Sequence, residues 1–198
     1  LTAAFKDKIR LNCPVTRVER DEHGVVIHSA EGSEQFDKVV FACHSDQALQ
    51  LLAEPSDAER EILGALPYAD NEVVLHTDTR LLPTRKLAWA SWNYRLSGAG
   101  HTHAAVTYDM NILQGIQSDT TFCVSLNQSA GISPFKVLAK YTYAHPQYSL
   151  AAVAAQNRWG ELDGAQHTHY CGAYWANGFH EDGVVSALRV ASAFGETL

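Results

Sequence analysis

The sequence predicts an α+β fold, and three patterns carry the prediction. Short runs of β-branched and aromatic residues, broken by glycine- and acid-containing turns, fill the stretches 17–42 and 71–143. Helical stretches are read at 46–52, 57–66 and 148–159, and apolar residues at helical spacing occupy 182–197. Strands and helices come in separate blocks, without the strict alternation that builds an all-parallel sheet.

In chain order, Arg17-Val18-Glu19-Arg20 and Val25-Val26-Ile27-His28 flank a turn at Asp21-Glu22-His23-Gly24. A second turn at Glu31-Gly32-Ser33 leads into Lys38-Val39-Val40-Phe41-Ala42, giving a three-stranded meander. The last strand has four consecutive apolar residues, the pattern of a strand covered on both faces, and is expected to be the deepest. Helices are expected over Asp46 to Leu52 and Asp57 to Leu66. The second opens with Ser56 and has Glu59 three residues on, the spacing of a capping box, and Pro67 stops it. The runs Val73-Val74-Leu75, Leu87-Ala88-Trp89, Ala104 to Tyr108, Phe122 to Leu126 and Val137-Leu138-Ala139 predict an antiparallel sheet. Tyr148 to Trp159 has helical composition. Asp182 to Thr197 is an amphipathic helix with Val184, Ala187, Leu188, Ala191 and Phe194 on one face.

Composition narrows the partners. With 198 residues, 46% hydrophobic and 19% charged, the chain can bury a substantial core and lies outside the disordered range. Acidic residues outnumber Lys and Arg by 22 to 15, a net charge of −7 with no basic run, which argues against nucleic acid as a partner. No apolar run is long enough to span a bilayer. Cys13, Cys43, Cys123 and Cys171 are scattered with no C-x-x-C pair, and are expected to be reduced core thiols of a cytoplasmic protein. The chain opens on Leu1 and its only methionine is Met110, so it is expected to be a piece of a longer protein.

The stretch from Tyr170 to Gly183 carries the clearest chemical signal. It sets Gly172, Gly178 and Gly183 among Tyr170, Tyr174, Trp175 and Phe179, directly before a helix. Glycines let backbone approach a flat ligand, and the unpaired N–H groups of a helix start favour an electron-rich acceptor. The plain alternative is a glycine-rich loop capped by Asp182 with no ligand.

Val15 through Ala42, closing in Phe36-Asp37-Lys38-Val39-Val40-Phe41-Ala42, resembles the second-half β-meander of the flavin-containing amine oxidase superfamily. The C-terminal stretch resembles that superfamily's final flavin-contacting loop and helix. Phe41 to Leu49, Trp89-Ala90-Ser91-Trp92-Asn93, Cys171 to Trp175 and Gly178 to Gly183 resemble its branch of bacterial predicted NAD/FAD-binding oxidoreductases.

The resemblance implies FAD in the full-length parent and a hydride taken from a small-molecule organic substrate. It implies a meander remnant of the FAD-binding domain at 1–55, a substrate-binding domain at 56–165, and a flavin-contacting loop and helix at 166–198. Val15 matches the position whose backbone holds the adenine, and Gly172 the glycine beside the ribityl-pyrophosphate. Phe179 and His180 match loop positions at the isoalloxazine. Gly183 and Val184 lie where helix amides face the pyrimidine carbonyl. Relatives often carry an acid directly after the Gly172 position, whereas Ala173 and Tyr174 stand here.

The same domain should begin with strand, G-x-G-x-x-G, helix. Gly98-Ala99-Gly100 starts that pattern, but His103 stands at the third glycine's place. The chain therefore resembles a fragment, its meander ending at Ala42 and its last helix expected close together. The surface left by truncation is expected to favour self-association.

Within the sheet, Asn93 and Tyr108 are the candidate substrate contacts in an otherwise apolar pocket. The tripeptides His101-Thr102-His103 and His167-Thr168-His169 would project two imidazoles to one side if on strands, but no carboxylate pattern accompanies them, and no metal site is assigned. No G-x-S-x-G frame supports acyl transfer. The alternative function is a stand-alone, non-catalytic binding module of the same fold.

Overall fold

Two tight turns build the first sheet. β1 (Val15–Asp21), β2 (Gly24–Ser29) and β3 (Gly32–Phe36) pair in that order, antiparallel, with Asp21 opposite Gly24 and Ser29 opposite Gly32. Gly24 has φ +139°, and a Cβ there would lie 2.4 Å from the Phe36 carbonyl oxygen, so only glycine fits. The third strand of this meander is thus 32–36, not 38–42. Its five residues are all exposed and polar but for Phe36, so no apolar alternation announces it.

The computed structural model describes residues 2–95 and 105–196, in two units: Leu1–Tyr68 with Pro146–Leu198, and Ala69–His145. In the first unit, β4 (Val39–Phe41) leaves the meander and pairs in parallel with β10 (Thr168–Tyr170), Phe41 opposite Tyr170. It is not the deepest strand: Val40 is 43% exposed, whereas Val18 and Val25 are fully enclosed. α1 (Ser45–Leu51) and α2 (Asp57–Gly64) follow. The expected capping box forms, with the Ser56 N–H donating to Glu59 Oε2 at 2.7 Å and the Glu59 N–H to Ser56 Oγ at 3.2 Å. α4 is shorter than expected, Leu150–Gln156, capped by Ser149 Oγ, which accepts from the Ala152 N–H. Ile62, Leu63, Leu66, Ala152, Leu162 and Tyr170 form the centre of this unit's core. Each large aliphatic among them contributes roughly 1.5–3 kcal/mol.

α5 (His180–Ser192) closes the unit, and its buried face is Ser186 and Val190. The apolar face read from sequence is not the buried one, since Val184 and Phe194 stay near half exposed. Lys38, just before β4, places its ammonium 5.0 Å from the Phe194 ring centroid, so the two chain regions do meet.

The second unit is a five-stranded sheet, order β6-β7-β8-β5-β9: β5 (Tyr68–His76), β6 (Trp92–Tyr94), β7 (Val106–Asp109), β8 (Cys123–Leu126) and β9 (Val137–Pro146). The pairs β6–β7, β7–β8 and β5–β8 are antiparallel. Leu87-Ala88-Trp89 is not a strand: 86–88 is a 3₁₀ turn, held by the Trp89 indole N–H donating to the Pro83 carbonyl at 2.7 Å. α3 (Met110–Gln114) starts on Asp109, whose Oδ1 accepts from the Ile112 N–H, and ends on Gly115 at φ +65°. Gly98 to Gly100 and His101 to His103 lie outside the described residues.

Candidate functional site

The carboxyl ends of the parallel pair β4 and β10 release two segments, 42–44 into α1 and 171–179 into α5. Crevices of this kind, at the carboxyl ends of parallel strands, are where open α/β sheets take ligands. The second segment is held at every turn. The Cys171 N–H donates to the Phe41 carbonyl at 2.9 Å, and the Gly172 N–H to Ser186 Oγ at 2.8 Å. Gln156 Nε2 donates to the Tyr174 and Ala176 carbonyls, at 2.9 and 2.6 Å. Asp182 Oδ2 accepts from the N–H groups of Asn177 and Phe179. This carboxylate of the first helical turn orders the loop, in a chain that carries no acid beside Gly172.

Aromatic rings back the loop. His44 stacks on Tyr68 with centroids 4.0 Å apart, Tyr68 meets Tyr174 edge-on at 6.4 Å, and Tyr174 leans on Trp175 at 5.1 Å. Burial, with Tyr148 nearby, pushes the Tyr68 hydroxyl up and keeps it neutral. Gly172 fits tightly against this cluster, since a Cβ would stand 2.4 Å from Tyr174 Cε1. At Gly178, φ +86°, a Cβ would meet the Tyr148 hydroxyl at 2.6 Å.

The six positions expected to contact a cofactor all fall in the first unit. Phe179 is 54% and Val184 49% exposed, with His180 also open, at the start of α5. The Gly183 N–H is donated to the Phe179 carbonyl at 3.2 Å, so the groups without a helical partner are those of His180, Glu181 and Asp182. Val15, 38% exposed, borders an apolar cleft of about 400 Å³ with Val39, Val40, Phe41, Ala42 and Cys43. It also borders a cleft of about 550 Å³ lined by Arg10, Ile27, Glu34 and Phe36. Unpaired N–H groups at a helix start and a loop trimmed to glycine suit a flat ligand with carbonyl acceptors, as a flavin is, while the clefts at Val15 are lined by other segments.

In the second unit, Trp92 pairs with Tyr108 and Asn93 with Thr107, so Asn93 and Tyr108 point to opposite faces of the sheet. Asn93 Nδ2 donates to the Ala90 and Thr107 carbonyls, and its Oδ1 accepts from the Ala90 N–H, which makes it a turn brace. Tyr108 packs edge-on against Trp92 with centroids 5.2 Å apart, and burial raises its hydroxyl's pKa.

A histidine and a serine also meet here, His76 Nε2 and Ser125 Oγ at 2.8 Å. The Asp78 N–H donates to His76 Nδ1 at 3.1 Å, so the ring's proton sits on Nε2 and is given to Ser125, the reverse of what an activated nucleophile needs. Ser125 passes on to Thr107 Oγ1 at 2.7 Å, and burial holds the imidazole neutral. His167, with φ +61°, lies in a turn, while His169 is buried on β10 with Nδ1 2.7 Å from Asp163 Oδ1, so the pair does not share one strand face. Among the described residues no group of three or more His, Cys, Asp or Glu side chains could hold a metal ion. No helix among them is long and apolar enough to cross a membrane.

Sequence could have found Asp182, an acid in the first turn of a helix, but Ser186 and Gln156 carry no signal until the loop is seen against them.

No curated protein matches the sequence. Among solved structures, the chain is similar to the CLA-producing fatty acid isomerase from P. acnes (TM-score 0.68, 15% identity, 98% of this chain and 50% of that one). It is also similar to cyclohexylamine oxidase from Brevibacterium oxydans (TM-score 0.58, 16% identity, 98% and 51%) and to a putrescine oxidase triple mutant (TM-score 0.62, 13% identity, 96% and 50%). The chain thus spans about half the length of each. The family model for flavin-containing amine oxidoreductases matches residues 2–110. With more than half its length matched by that model, the chain belongs to the flavin-containing amine oxidoreductase family, and FAD is the cofactor this membership implies for the whole protein.

Proposed function

We propose that this chain forms one half of a cytoplasmic FAD-dependent oxidoreductase that takes a hydride from a small organic substrate. The observation that carries the reading is the clamped 171–179 loop running into the open start of α5. A loop fixed before any ligand arrives loses little entropy on binding, the condition for holding a ring system at a set distance from substrate.

Bound there, FAD supplies the redox chemistry. The chain's own residues position it: Gly172 and Gly183 by lacking side chains, Phe179 as an apolar surface, and the N–H groups at the start of α5 as hydrogen-bond donors. Val15 lies at the adenine end. The second unit, Ala69–His145, is the substrate domain, where Tyr108 and Trp92 offer an aromatic wall.

The test is anaerobic titration of the full-length protein with primary and secondary amines, followed by flavin absorbance. Bleaching by one class identifies the reductive half-reaction. A full-length protein that purifies without flavin and cannot be reconstituted with FAD would sink the reading in favour of a binding module.

A further inference from the structure

We infer that Ser186 is the positioning residue that sets the flavin-facing geometry of the 171–183 loop, an inference that rests on the flavin reading above. Its hydroxyl makes two bonds at once. It accepts from the Gly172 N–H at 2.8 Å and donates to the Gly183 carbonyl at 2.9 Å, so one buried oxygen ties the loop after β10 to the first turn of α5. Ser186 is 4% exposed, so its hydroxyl is largely shielded from solvent.

The geometry changes what Gly172 does. Because its N–H is spent on Ser186, Gly172 cannot donate to a phosphate or a ring, and it serves by having no side chain where a Cβ would strike Tyr174. The donors left without a helical partner are those of His180, Glu181 and Asp182, in the turn that ends at the Gly183 carbonyl to which the Ser186 bridge is anchored. Only a hydroxyl both accepts and donates at this size. A residue with neither takes this partner from the half-buried Gly172 N–H and frees the loop from the helix.

The experiment compares Ser186→Thr with Ser186→Val in the full-length protein, two side chains of nearly equal volume that differ in the hydroxyl. FAD affinity of the apoprotein is read by flavin fluorescence quenching, and exchange of the Gly172 amide is read without flavin. Thr should keep binding that Val loses, with Val about tenfold weaker and its Gly172 amide exchanging faster. Ser186→Ala gives the same comparison if Val disturbs folding. Equal affinity of Thr and Val, or an unprotected Gly172 amide in wild type, overturns the inference while leaving the flavin reading intact. A wild-type protein that binds no flavin overturns both.

Discussion

Arg20 on β1 and Glu59 on α2 form a two-pronged ion pair inside the first unit, each side chain 4% exposed, with Nη2 2.9 Å from Oε2. The Tyr170 hydroxyl on β10 donates to the same carboxylate at 2.6 Å. One carboxylate thereby joins a strand of the meander, a helix and the strand that leads into the candidate site. Burial alone would raise the Glu59 pKa, but hydrogen bonds from Arg20, Tyr170 and the Ser56 backbone hold it below the usual range.

Glu59→Gln should therefore destabilise the first unit by about 3–5 kcal/mol, because it strands a buried guanidinium. Urea unfolding measures it, and Arg20→Met combined with Glu59→Gln should recover part of the loss. A single-variant loss below about 1 kcal/mol would show that the pair is solvated in solution.

Asp78 gives the second unit an acid limit. Its enclosed carboxylate takes the forked Arg80 guanidinium and the Ser133 N–H at 2.9 Å, which hold its pKa well below the ordinary value. A depressed folded pKa means stability present above the unfolded carboxylate value and lost as pH falls from there through the folded value. Stability of this unit, followed by amide exchange, should decline as pH drops below about 4. In Asp78→Asn it should be lower at neutral pH and fall less steeply in acid. Parallel pH profiles for the two proteins would refute the assignment.

Gly172 in the loop and Gly183 in the first turn of α5 should answer oppositely to alanine. At Gly172 the new Cβ would lie 2.4 Å from a Tyr174 ring that is 2% exposed and cannot step aside, so Gly172→Ala should cost about 1–3 kcal/mol. At Gly183 the nearest atoms stand at 3.9 Å and the residue is helical, so Gly183→Ala should gain about 0.5–1 kcal/mol. Thermal unfolding of both variants checks the sign, and a stabilised Gly172→Ala would contradict the packing described.

These contrasts mark what sequence reveals and what it hides. The Ser56–Glu59 capping box and the Asp21–Gly24 turn are legible because the partners are neighbours in the chain. β3 is hidden because Gly32 to Phe36 stays outside the core and leaves no apolar period, its pairing coming only from the tight turn with β2. The β4–β10 pairing is hidden for another reason: a three-residue strand says nothing about a partner far along the chain. For the site, glycines before a helix are visible as a pattern. That Asn93 spends both polar atoms on backbone is not, since side-chain satisfaction depends on where Ala90 and Thr107 fall.

Ser125 should be inert. The His76 ring donates to it, and both residues are fully enclosed. A fluorophosphonate probe should leave Ser125 unlabelled in the native protein. Cys123, enclosed beside it with its thiol pushed up to about 12 by burial, should resist thiol reagents until unfolding. Labelling of either in the folded state would mean that this face of the sheet opens.

Purified alone, the 198-residue chain should fold, carry no stoichiometric FAD and turn over no amine. Folding is expected because each unit has an enclosed apolar cluster of its own. Weak flavin affinity is expected because the sequence holds no G-x-G-x-x-G turn, the element that anchors a dinucleotide pyrophosphate. The start of α5 and the Val15 clefts would then hold the ligand without its most charged part secured. The same chain leaves Val40, Phe179, Val184 and Val185 between 43% and 54% exposed in the first unit, and sedimentation should show self-association that weakens at low salt. Absorbance at the flavin bands after gel filtration decides the main point. A yellow chain with one FAD per molecule and amine turnover would mean that the clamped loop and α5 suffice as an anchor, and the dependence on a glycine-rich turn would be wrong.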